Sequence, residues 1–157
     1  LRLMNLPYSD FEPGRADPAP LRAAGEAFAP TICYEDAYGS EQLGLAREST
    51  LLVNVTNDAW FGDSTAPHQH LDISRMRALE SGRAMLRATN DGVTALIEHD
   101  GSLLGTLPQF QSGVLTGEVQ PRTGLTPYVR FGNWPVLAVL WVGLAVIAVS
   151  CRRGIRR

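Results

Sequence analysis

The chain contains no lysine; all fourteen of its basic residues are arginines. No step that needs a lysine side chain can be supplied by these 157 residues. Cysteine is scarce too. Cys33 and Cys151 make no disulfide framework, and no spacing matches a zinc site. His68, His70 and His99 are scattered, and His68 and His70, at i,i+2, point to different sides of a helix. Neither a metal nor a cofactor is expected. Charged residues make up only 19%, and they are unevenly placed. Arg152, Arg153, Arg156 and Arg157 crowd the last six positions, while the rest sets ten arginines against sixteen acids. The body is therefore acidic, the basic end is a local tail, and nucleic acid is not an expected partner.

Charge is missing altogether between residues 131 and 151, and 135–149 is almost wholly apolar. With its flanks this run reaches the ~20 residues that cross a ~30 Å hydrocarbon layer. Asn133 suits an N-cap and Pro135 a first helical turn. Tyr128 and Trp134 suit one membrane interface and the arginine cluster the other, which puts the C-terminus in the cytoplasm. A buried core helix or a strand pair fits poorly, because core elements rarely run so long without a polar residue facing water. The start of the chain is not a charged leader followed by an apolar core. On this reading the chain is a piece of a longer protein, whose upstream part carries residues before 131 across the membrane.

The rest is long enough for one domain with a real core. Pro7, Pro13, Pro18 and Pro20, with Gly14 and Gly25, make the opening a loop. Strands are predicted over 28–34, 51–55, 93–98, 103–107 and 114–119, the third and fourth forming a hairpin around 99–102. A short helix is predicted over 39–48. A longer one is predicted over 68–87, started by Pro67, with Leu71, Met76, Leu79, Met85 and Leu86 on its apolar side. Arg77, Glu80 and Arg83 read as a structural ion-pair face on that helix. The order suggests mixed α/β layers.

Candidate chemistry centres on Thr31-Ile32-Cys33-Tyr34-Glu35-Asp36. An apolar run leads into Cys33 and a polar, glycine-containing stretch follows, the pattern of a strand, a tight turn and a helix. A sulfur there sits at the positive end of a helix, which favours the anionic nucleophile. The alternative is a small buried hydrophobe, the usual state of a free cysteine. Asn57 and Asp58 are expected to hold their loop by side-chain-to-backbone bonds. Trp60 and Phe61 suit either ordinary packing or the lining of a substrate path.

Ile32-Cys33-Tyr34-Glu35, Asn57-Asp58-Ala59-Trp60-Phe61-Gly62, His70, Arg75-Met76-Arg77-Ala78-Leu79-Glu80 and Arg87-Ala88-Thr89-Asn90, in that order, resemble the nitrilase-like (carbon–nitrogen hydrolase) superfamily. Leu125-Thr126-Pro127-Tyr128, Gly132-Asn133-Trp134-Pro135 and the apolar run narrow the resemblance to its membrane-bound lipoprotein N-acyltransferase branch. The resemblance implies an α/β fold: residues 1–130 as the C-terminal part of an αββα sandwich in the periplasm, and residues 131–157 as one transmembrane helix with a basic cytoplasmic tail. It implies a bacterial inner-membrane enzyme that moves an acyl chain from a membrane phospholipid to the N-terminal amine of a lipid-modified apolipoprotein. Its Glu–Lys–Cys triad maps here only at Cys33, with Tyr34 and Glu35 as supporting residues; the other two members lie upstream of the matching strings. Two further readings remain: a membrane-tethered amidase or nitrilase, and a non-catalytic anchored module. The missing half of a sandwich would leave a sheet edge and a core face uncovered.

Overall fold

The computed structural model describes residues 18–155, except for the side chains at 149 and 152–155. Most of the predicted opening loop, the last two arginines and the side chains of Arg152 and Arg153 lie outside the described residues. Strand alternation builds the core. β2 (Glu26–Ile32) sends Ala27, Ala29 and Thr31 to one face, and β3 (Leu51–Asn57) sends Leu52, Asn54 and Thr56 to the same face. β4 (Met85–Asn90) adds Met85 and Arg87, and β5 (Thr94–Ile97) adds Ala95 and Ile97. Strand pairing lines these residues up in two rows. Ala29, Leu52, Met85 and Ile97 make an apolar row, and Thr31, Asn54, Arg87 and Ala95 a largely polar one.

The sheet has six strands in sequence order, completed by β1 (Leu21–Ala23) and β6 (Leu103–Leu107). β2, β3 and β4 are parallel at its centre, while β1, β5 and β6 pair antiparallel to their neighbours. The two parallel crossovers carry α1 (Leu43–Glu48) and α2 (Ala66–Ser81). α2 buries Pro67, His70, Leu71, Ser74, Ala78 and Ser81. On the opposite face Phe28, Pro30, Val53 and Leu86 are half-buried, and Ile32 and Val55 are exposed. Residues 108–126 cover this face near Leu96, and no described layer covers it at Ile32 and Val55.

The structure departs from the sequence reading in several places. α2 ends at Ser81, because Gly82 takes a left-handed conformation (φ 66°) and its N–H caps the last turn. Met85 and Leu86 therefore belong to a strand that was not predicted, and Met76 and Leu79 face outward, about half exposed. Leu21–Ala23 is a strand inside the expected loop. Residues 114–119 form none: residues 108–126 run irregularly back over the sheet, with Gly117 against Leu96 and Arg122 N–H bonded to Thr50 C=O. Arg83 is not on the Arg77–Glu80 face. It is buried beyond α2 and donates to the carbonyls of Ser49, Ser81 and Gly124.

Thr126 caps α3 (Pro127–Phe131), and Arg47 Nε donates to Val129 C=O at 3.1 Å. Two residues later α4 (Trp134–Ile155) begins, 22 residues with exposed apolar side chains from Val136 to Ile147. Among the described residues no helix is long and apolar enough to cross a membrane; the unbroken run of described side chains in α4 stops at Ala148. The expected span is thus not shown.

Candidate active site

The three parallel strands end on one side of the sheet, where open α/β sheets bind their ligands. β2 ends at Ile32, and Cys33 follows as the first residue of a five-residue 3-10 turn, Cys33–Ala37. Cys33 is half-buried and has φ 53°. That conformation costs a non-glycine residue about 1–2 kcal/mol. The sulfur therefore stands on a strained corner, neither in the core nor at the end of a long helix. A turn of five residues carries little of the dipole expected there. Glu35 folds back so that Oε2 accepts the Ile32 N–H at 2.7 Å. Tyr34 is about half exposed, and its ring lies 5.8 Å from that of His70 and 6.2 Å from Tyr38.

β3 ends in Asn57, which pairs with Asn90 of β4, and a second 3-10 turn, Ala59–Phe61, follows. Asn57 Oδ1 accepts the Ala59 N–H at 3.1 Å, the expected loop bond. Trp60 is 84% exposed and Phe61 42%, so neither serves as core packing among the described residues. Asp58 differs from its expected role. Its carboxylate is buried and bonds to side chains of three other segments.

These bonds belong to a cluster that the sequence reading missed. His70 Nδ1 lies 2.9 Å from Asp58 Oδ1 and Nε2 lies 3.0 Å from Asp36 Oδ1. Arg87 Nη2 donates to Asp58 Oδ2 at 2.9 Å, and Nη1 donates to Asn54 Oδ1 and Ser74 Oγ, both at 2.7 Å. Ser74 Oγ donates to Asp36 Oδ2. Asn54 Nδ2 donates to Thr31 Oγ1 at 3.0 Å and to Cys33 C=O at 3.1 Å. A carboxylate on each ring nitrogen favours the protonated form of His70, in which both ring N–H groups donate. Burial alone would lower its pKa; the bonds to Asp36 and Asp58 outweigh burial and the opposing charge of Arg87, so the pKa is raised. Burial lowers the pKa of Arg87, and the two carboxylates counter it. Gly92 has no room for a side chain here, since a Cβ would overlap the Asp58 carboxylate. One signal was legible: Asn54 is a polar residue at an inward position of the apolar run 51–55. Among the described residues no group of His, Cys, Asp and Glu is arranged to hold a metal ion.

Residues 10–128 match the carbon-nitrogen hydrolase family model. The chain belongs to the carbon-nitrogen hydrolase family. It is 52% identical over 155 residues to a protein of Azotobacter vinelandii named apolipoprotein N-acyltransferase, covering 98% of this chain and 30% of that protein. The protein of that name from Ralstonia nicotianae is 51% identical over 159 residues, at the same coverage. The chain thus spans about 30% of the length of these relatives. Among solved structures it is similar to a carbon-nitrogen hydrolase from Helicobacter pylori G27, with TM-score 0.55 and 13% identity over 62% of this chain and 42% of the other. An amidase from Nesterenkonia sp. gives TM-score 0.52 and 25% identity over 63% of this chain and 40% of the other. The mixed α/β fold built on the six-stranded sheet is therefore nitrilase-like.

Proposed function

We propose that this chain forms part of a membrane-bound acyltransferase that moves a fatty acyl group from a phospholipid to the α-amine of a lipid-modified apolipoprotein. The observation that carries the reading is identity of about one half, over 98% of this chain, to proteins named apolipoprotein N-acyltransferase. Cys33 is the nucleophile. Its thiolate attacks the ester carbonyl, a C–S bond forms, the ester C–O bond breaks, and lysophospholipid leaves with a proton. The incoming amine then attacks the thioester; an amide forms and the thiol is restored. Tyr34, Trp60 and Phe61 line the approach for the acyl chain, and Glu35 holds the backbone ahead of the sulfur. By resemblance, a glutamate base and an oxyanion-binding lysine come from other residues of the enzyme; no lysine exists here. These 157 residues alone are therefore expected to give no turnover.

Residues 131–157 are proposed as a separate unit, with α4 crossing the bacterial inner membrane, its basic tail in the cytoplasm and residues 1–130 in the periplasm. At 1.5 Å per residue a 22-residue helix is about 33 Å long, enough for the hydrocarbon layer. The test is incubation of the intact protein with phospholipid carrying a labelled acyl chain. A labelled thioester at Cys33, absent in Cys33→Ala, is the expected outcome. Normal acyl transfer by Cys33→Ala ends the mechanism. Absence of a thioester, together with hydrolysis of a small amide, favours the amidase reading, which shares the fold.

A further inference from the structure

A buried charged cluster that no step above uses fastens the Cys33 turn from behind. Asp36, Asp58, His70 and Arg87 are each at most 3% exposed, and they come from four segments: the turns after β2 and β3, helix α2 and strand β4. Two carboxylates face two cations. Burying such a set is expensive, and apolar residues usually join a helix to a sheet at least as well. The adjoining row of Ala29, Leu52, Met85 and Ile97 does so here. Holding the layers together therefore does not explain the charges.

Their contacts converge on two turns. Asp36 belongs to the Cys33 turn, and His70 and Ser74 grip its two oxygens. The Cys33 carbonyl is held by Asn54, whose own oxygen Arg87 fixes. At the other end Asp58 leads into the Trp60 turn, where its C=O accepts the Phe61 N–H at 3.0 Å, and His70 and Arg87 hold its carboxylate. His70 touches both turns. A left-handed cysteine persists only where its surroundings over-determine it, and this cluster does that.

We propose that His70 is a positioning residue which, with Arg87 and Asn54, locks the Cys33 turn to the Trp60–Phe61 turn, so that the sulfur and the aromatic wall keep one relative geometry. This rests on Cys33 being the nucleophile.

The experiment uses the intact protein with His70→Gln and His70→Ala. Two quantities are read per folded molecule: the rate of acyl-thioester formation, and the pH profile of Cys33 alkylation by iodoacetamide, followed by peptide mass spectrometry. Small misplacements of a reacting group cost on the order of a hundredfold. Thioester formation is therefore expected to slow by about tenfold or more with the phospholipid KM within about threefold, and the alkylation profile to shift. Arg83→Met, equally buried but bonded only to carbonyls, should lower the melting temperature and leave both readouts unchanged. Parent-like values of both in a folded His70 variant overturn the proposal. If neither variant folds, Asn54→Ala is held to the same criterion. Should the parent form no thioester, the acyl-transfer reading fails, while the alkylation profile still tests His70.

Discussion

His70 carries more of this site than its single position suggests. It is an i+2 neighbour of an exposed histidine, yet both its ring nitrogens face buried carboxylates. Its raised pKa makes stability depend on pH with a definite sign. A group whose folded pKa lies above its unfolded one stabilises fully below the unfolded value, about 6.5 for histidine. That contribution fades as pH rises through the folded value. We expect the melting temperature of the intact protein to fall as pH climbs through the folded-state pKa of His70, above 6.5. In His70→Gln this part of the slope should vanish. Calorimetry across that range, with the His70 ring followed by NMR, checks it; a slope unchanged in His70→Gln would refute the assignment. Charge here is a cost at any one residue and a gain only for the set. Removing one partner of a buried ion pair typically costs about 3–5 kcal/mol.

Among the elements, α2 and β4 depend on the residue between them. Gly82 ends the helix in the left-handed region, and a Cβ there would also press on Thr126 at 3.0 Å. Gly82→Ala should destabilise by about 1–2 kcal/mol, read as a lower denaturation midpoint with the same slope; no change would mean that the turn relaxes freely. The same junction explains what the sequence revealed. The hairpin of β5 and β6, the short α1 and strand β3 were all legible, because each is a short run set off by turn residues, β3 a continuous apolar and β-branched one. The helix predicted through Arg87 was not cut at Gly82, because Met85 and Leu86 extended an apparent apolar side. Of that side only Leu71 faces the core within α2; the rest of its seat is His70, Ser74, Ala78 and Ser81, which hydrophobic periodicity does not register well. Cys33 and the Asn57 loop stood out through their motifs. Arg87 and Asp36 stood in such strings too, but their joining in one cluster was not legible, since it depends on the register that sets Arg87 beside Asn54, and Asn54 beside Thr31.

At the scale of the whole molecule, the described residues expose apolar surface along α4 and on the side of the sheet left bare at Ile32 and Val55. If α4 lies in a bilayer, Val142→Arg places a charge near its middle, which costs about 2.5–3.5 kcal/mol on insertion scales. The variant is expected to lose alkali-resistant membrane association of the C-terminal segment, or to shift its register. Retention with parent-like protease protection would argue against the span. The bare side of the sheet bears on the chemistry more directly. It carries Ile32, the residue before Cys33, which is 65% exposed. Any layer that closes over this face also closes one flank of the reaction chamber. Keeping water from an activated acyl–sulfur bond suppresses its hydrolysis. On the proposed mechanism, docking of that layer would act as a safety catch, because the groups that load the sulfur and the wall that shelters the loaded acyl group would arrive together.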